Sequence, residues 1–118
     1  MRKIGKHNWQ WHFRDANDKN IQLLINYKKA LQFQNVSEKT IFEYQKEVYR
    51  LMVYLQNKNV ETLDVTTEMI QWYLDSFEAS DSRKSRIISV LNSFYKHNHK
   101  KRYIIENPIS KINRYQYK

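Results

Sequence analysis

Residues 80–108 read SDSRKSRIISVLNSFYKHNHKKRYIIENP, and this stretch decides the fold. Ile87, Val90, Leu91, Phe94 and Tyr95 recur at three- and four-residue spacing, which places them on one broad face of a helix. Ser82, Arg86, Ser89 and Ser93 fall on the opposite face, with Arg83 and Lys84 beside it in the first turn. Short polar side chains around a long cation suit close approach to a phosphate backbone. The last turns and the exit add Lys96, Lys100, Lys101 and Arg102, and the stretch closes on Asn107-Pro108.

Working outward, composition says what surrounds that helix. One Gly and one Pro in 118 residues leave few turn formers, while Lys, Gln, Glu, Leu and Ile are common. Such a chain favours helices joined by short loops, and its length suits one domain with a single core. The formal net charge of +9 points to a polyanionic partner. Its distribution is uneven: residues 78–118 hold ten Lys/Arg against three Asp/Glu, whereas residues 1–77 hold eleven against nine. The charge therefore gathers around the organising stretch.

Upstream, Asp18 is placed to cap a first helix running to about Gln34, which buries Ile21, Leu24, Tyr27, the stem of Lys28 and Leu31. Asn35 then suits the left-handed residue that ends a helix. Ser37 caps a second helix with Glu38 in its first turn; Ile41, Tyr44, Val48, Leu51, Met52 and Leu55 form its core face. A second face carries Lys39, Glu43, Lys46 and Arg50. Lys39 and Thr40, at a helix N-terminus, are candidates to meet phosphate. Lys46 is a further candidate, although with Glu43 and Glu47 beside them Lys46 and Arg50 read equally well as members of a solvated, salt-bridge-laced surface. Val60, Leu63 and Val65 are expected to plug the bundle from the loop 56–65. Thr66 or Thr67 opens a third helix with Ile70, Tyr73, Leu74 and Phe77 inward; its charges Glu68, Asp75 and Glu78 are acidic, so it is expected to face away from a polyanionic partner. Trp72 reads as a core or interface aromatic.

The Ser-rich start, Arg86, the run Ile88 to Tyr95 and the closing Ile105-Glu106-Asn107-Pro108 resemble the core-binding domain of the phage integrases, or tyrosine recombinases. Earlier, Val36-Ser37, Thr40 and Tyr44, then Leu63-Asp64-Val65-Thr66, Ile70 and Tyr73-Leu74, fall in the same order, so the resemblance spans about Asn20 to Ile112. It implies an all-α, SAM-like, compact orthogonal bundle of four main helices plus a short C-terminal helix. It also implies duplex DNA at a recombination core site as the ligand, with the helices beginning near Ser37 and Ser82 against adjacent major-groove surfaces. The DNA-contacting set is then Ser37, Lys39, Thr40, Lys46, Ser82, Arg83, Lys84, Arg86, Ser89, Lys100, Lys101 and Arg102. A catalytic domain is expected to follow Lys118, with 111–118 as the start of the linker, 18–110 as the core-binding domain, and other recombinase protomers as partners on DNA.

Catalysis by this chain is not expected. His99-Lys100-Lys101-Arg102 has the H-x-x-R spacing by which tyrosine recombinases place a His and an Arg on the scissile phosphate, with Tyr115 and Tyr117 as apparent nucleophiles. That constellation belongs to a separate domain and needs further cations and an acid held in place around it. Here the match falls in the basic connector between Tyr95 and Asn107, and the ten residues after Pro108 leave no room for the rest. His97 and His99, or His7 and His12, lack an acidic partner cluster, so no metal is expected; with a single Gly no Gly-rich phosphate loop can form, and no cofactor is expected. Absence of cysteine excludes disulfides. No apolar run reaches the length of a membrane span and the basic N-terminus lacks a signal-peptide core, which reads as a cytoplasmic protein without membrane partners.

Residues 1–17 have two readings. Trp9, Trp11 and Phe13 alternate at a strand period, as the remnant of an arm-binding sheet would; otherwise the segment is a tail whose aromatics pack on the bundle. Two other functions fit the composition: a helical protein-interaction module with exposed Trp and Tyr, and a helix-turn-helix regulator with its recognition helix near residues 35–50. Uneven charge argues against the first, and the long loop after Gln56 and the Asn-Pro exit against the second.

Overall fold

Four stretches of the chain carry their own start signals, and each becomes a helix. The computed structural model describes residues 12–112, with α1 (Asp18–Phe33), α2 (Glu38–Gln56), α3 (Thr67–Asp75) and α4 (Asp81–Lys100) in order and a 3₁₀ turn at Thr62–Asp64 between α2 and α3. No strand occurs among the described residues. Asn17, Ser37, Thr66 and Ser80 each stand just ahead of a helix in an extended conformation and accept, through a side-chain oxygen, the backbone N–H three residues on. Each cap satisfies one amide that the helix itself cannot. Two starts move by one or two residues from the sequence reading. Asn17 rather than Asp18 caps α1, which leaves Asp18 in the first turn where its carboxylate complements the helix dipole; α4 is capped at Ser80, ahead of Ser82.

Three helix ends share one device. Asn35, Asn59 and Arg102 have φ values of 62°, 59° and 65°, and the residue after each bonds back to a carbonyl five positions earlier: Val36 to Leu31, Val60 to Leu55, Tyr103 to Asn98. This is the Schellman closure, which normally uses Gly at the left-handed position. A chain with one Gly uses Asn twice and Arg once.

Packing follows the apolar faces. α1 and α2 form an antiparallel pair, since Gln45 donates to the Leu24 carbonyl at 2.9 Å while Asn20 donates to Gln56 Oε1 at 2.7 Å. α4 crosses both. Its start meets α2 through Arg83 and Arg86, its middle meets α1 where Phe94 stacks edge-on to Tyr27 at 5.3 Å, and Tyr95 donates to the Thr62 carbonyl at 2.7 Å. The five apolar residues assigned to the inner face of α4 are all buried. On α2 the reading needs adjustment: Tyr44 is half-buried, and Gln45 and Glu47 are buried beside Val48.

The core also extends past both expected borders. Phe13 is fully buried in a 3₁₀ turn, against Phe42 and Tyr49, as a packed aromatic and not as a strand residue; Trp9 and Trp11 lie outside the described residues. After α4, Ile109 and Ile112 are buried. In place of the expected short C-terminal helix, residues 108–111 form a turn as far as the description reaches.

Candidate nucleic-acid interface

Along α2, Lys39, Glu43, Glu47 and Arg50 follow one another at three- and four-residue spacing and so share a stripe. The start of α4 comes down beside that stripe. Arg86 Nη2 lies 3.5 Å from Glu43 Oε1, and Arg83 Nη2 lies 3.3 Å from Glu47 Oε2. Arg50 Nη1, on α2 itself, lies 3.3 Å from Glu47 Oε1. Glu47 is buried beneath these cations, and the arginines are about half exposed. The Arg86–Glu43 pair is exposed and contributes little to stability, about 0–1 kcal/mol, and the importance of all three pairs here is geometric. They fix where three guanidiniums stand, and each guanidinium has more N–H donors than one carboxylate contact uses.

The candidate residues separate into groups that the sequence did not distinguish. Lys39 and Ser89 are exposed on the surface of α2 and α4, and Ser82 is exposed next to Ser80, 3.3 Å away. Ser37 and Thr40 are engaged with each other: the Ser37 hydroxyl donates to Thr40 Oγ1 at 3.0 Å and accepts the Thr40 amide. Lys46 lies over the Phe42 ring at 5.6 Å, on the side of α2 where Phe42 meets Phe13. Lys84 turns toward α3, over the Phe77 ring at 5.4 Å, in a shallow depression that Asp75 and Glu78 also line. Its surroundings are thus partly acidic. Ser93 accepts from Tyr27 at 2.8 Å and belongs to the α1 contact.

Lys100, Lys101 and Arg102 stand at the far end of α4, roughly 20 Å along the helix axis from Arg86. Three cations there complement the negative end of the helix dipole. His99 lies with Nε2 3.1 Å from the Ile105 carbonyl and Arg102 is the left-handed residue that closes α4, so this H-x-x-R belongs to a helix ending. His97, one turn back, is held below the ordinary imidazole range by burial, with Lys101 adding to the effect.

Two features escaped the sequence reading. Glu47 reads there as one charge of a solvated face, yet it joins α2 to α4 from a buried position. Its spacing from Arg50 was the available signal; its contact with Arg83 has no local signal. Tyr73 of α3 lies close enough to feel the group: burial pushes its phenol up to about 12, Glu47 adds to the rise, and Arg50 and Arg83 oppose it. The second is a buried polar chain in which Gln56 accepts from Asn20, Thr62 donates to Asn20 Oδ1 at 2.7 Å, and Tyr95 holds the Thr62 carbonyl. It positions α4 on the α1–α2 pair.

A small helical bundle that carries cations and hydroxyls across the surface of two helices, held in register by carboxylates, belongs to the class of helical DNA-binding domains. The family model described as phage integrase, N-terminal SAM-like domain, matches residues 24–101, well over half of the chain, and the chain belongs to that family: it is the non-catalytic N-terminal core-binding domain of a tyrosine recombinase. Neither curated proteins nor solved structures give a match. Among the described residues no helix is long and apolar enough to cross a membrane, and no group of three or more His, Asp or Glu could hold a metal ion.

Proposed function

We propose that the domain grips one face of duplex DNA at the recombination core site through the α2 stripe and the first half of α4. Lys39, Lys46, Arg83 and Arg86 meet phosphates, with Ser37, Thr40, Ser82 and Ser89 at their margins; Lys84 and the distal Lys100, Lys101 and Arg102 make outer contacts. The observation that carries this reading is the pairing of Arg83 with Glu47 and Arg86 with Glu43, which joins cations of one helix to the stripe of another in a single surface. Cations directed at phosphate give affinity without much base discrimination. Isolated, the domain therefore binds duplex weakly and with little sequence preference.

The rest of the assembly is part of the same proposal. Residues 18–110 form the binding unit together with Phe13 and Ile112, which pack into its core, the linker begins after Ile112, and a catalytic domain beyond it closes on the opposite face of the duplex beside other protomers, in the cytoplasm. Two tethered domains raise each other's effective concentration on the site, so a weak module suffices. Fluorescence anisotropy against a short duplex over a range of salt tests the surface. Replacing Lys39 and Arg86 together by Ala should reduce the slope of log affinity against log salt by about 1.8, near 0.9 per phosphate contact. An unchanged slope moves the DNA surface to Lys100, Lys101 and Arg102.

A further inference from the structure

We infer that Arg50 and Arg83 form a clamp for a single DNA phosphate, and that the buried carboxylate of Glu47 is the positioning residue that sets it. This rests on the duplex-binding reading above and adds to it a site, a ligand group and a role.

The two oxygens of Glu47 are divided between two helices. Oε1 takes Arg50 of α2 and Oε2 takes Arg83 of α4, each at 3.3 Å, so two guanidiniums stand side by side on one anion. Depth then sorts the three groups. The Glu47 side chain is 8% exposed, against 48% for Arg50 and 47% for Arg83, so DNA approaching this surface meets the cations and not the carboxylate. Two positive charges share one negative charge, and the triad keeps a net positive charge. Glu47 Oε1 makes an ion pair but no hydrogen bond, so the Arg50 fork is not consumed by it. A phosphodiester presents two free oxygens on one tetrahedral centre, the geometry that paired guanidiniums recognise.

Without Glu47 the two arginines would repel each other and drift apart on flexible side chains. A negative charge at the DNA surface thereby promotes anion binding. The sign of its removal is diagnostic, because Glu47→Gln adds one unit of positive charge and simple electrostatics makes it bind DNA more tightly.

The test is anisotropy with a short mixed-sequence duplex on the whole chain, with thermal melts alongside. Glu47→Gln is expected to weaken binding several-fold at fixed salt. Arg50→Ala and Arg83→Ala each weaken it, but the double variant costs less than the two singles combined, because they share a contact. The double variant lowers the salt slope by about 0.9, the value for one phosphate, and not by about 1.8. Arg50→Lys, which keeps the charge and loses the fork, binds more weakly than wild type. The side-chain Nε–H resonances of Arg50 and Arg83 shift together on duplex titration. Binding by Glu47→Gln as tight as wild type or tighter, in a protein that melts normally, overturns the positioning role. If Glu47→Gln fails to fold, the exposed arginine variants decide: additive losses or a slope change of about 1.8 overturn the shared phosphate. Wild type that binds duplex while both arginine variants bind equally well defeats this inference alone; wild type that does not bind defeats the duplex-binding reading and this inference with it.

Discussion

Asn107 donates its side-chain amide to Asn92 Oδ1 at 2.8 Å, and its own Oδ1 accepts the amide of Ile109 at 2.9 Å. The Asn-Pro exit is therefore a latch on the middle of α4. Pro108 completes it by accepting the Thr67 hydroxyl at 2.6 Å, after which Ile109 and Ile112 enter the core. Asn107→Ala leaves two partly buried partners unsatisfied and should lower stability by about 1–3 kcal/mol in urea denaturation. Duplex affinity of the folded protein should be unchanged; a parallel loss of affinity at full folding would give Asn107 a DNA contact.

Phe94 and Arg86 separate the two faces of α4. Phe94 is fully buried, edge-on to Tyr27 at 5.3 Å and to Tyr95 at 4.9 Å. Phe94→Ala should cost about 3–5 kcal/mol through the cavity it leaves, and reduce binding only as the folded fraction falls. Arg86→Ala removes one exposed ion pair, so its melting midpoint should stay near wild type, within about 0.5 kcal/mol, while duplex affinity drops. Melts and anisotropy on both variants give the comparison.

Arg102 holds a left-handed conformation, φ 65°, that a side chain with a Cβ adopts at a cost. Arg102→Gly should relieve it and stabilise the domain by roughly 0.5–1 kcal/mol, a net gain after the extra entropy of an unfolded Gly. The same substitution removes a distal cation. Higher thermal midpoint with slightly weaker duplex binding is the expected pair of results; a lower midpoint would mean that the Arg102 side chain, and not its backbone, supports the end of α4.

Alkaline pH should unfold the domain through its buried phenols. Burial pushes Tyr27 and Tyr73 from the ordinary 10.0 up to about 12, and raises Tyr95 further. Below pH 10 these phenols are protonated in folded and unfolded chains alike. Above it the unfolded chain releases protons that the folded chain retains, so stability falls as pH rises from about 10 to 12, by something on the order of 2–3 kcal/mol for each of Tyr27 and Tyr73. Melts at increasing pH, read beside tyrosinate absorbance, should show the midpoint falling as ionisation appears. Ionisation of these phenols without unfolding would contradict their burial.

Much of the helical layout is written locally. Ser37, the apolar spacing from Ile87 to Tyr95 and the left-handed tolerance of Asn35 are properties of a few neighbouring residues, and each was legible before any tertiary contact was known. Boundaries were less so: Asn17 and Asp18 are both good caps, and only the backbone geometry at Asn17 separates them. Phe13 had two readings, a strand residue or a tail aromatic packed on the bundle, because alternation over three aromatics is too short a pattern to fix a period; its burial against Phe42 and Tyr49 decides for the second.

The sequence by itself determined that the protein is helical, basic toward its C-terminal third and apolar along one face of α4, because propensity, capping and periodicity act over a turn or two of chain. It could count cations but not arrange them. Only the crossing of α4 over α1 and α2 decided that Arg83 and Arg86 stand on Glu47 and Glu43, that Lys84 turns to Phe77, and that Lys100 to Arg102 lie at the distant end. Helix packing likewise buries Glu47 against α4, Gln45 against α1 and Asn20 against α2 and Thr62, and these polar side chains give no apolar signal in the sequence. A charge becomes part of a surface through its neighbours in space, and those are fixed by the packing of whole helices.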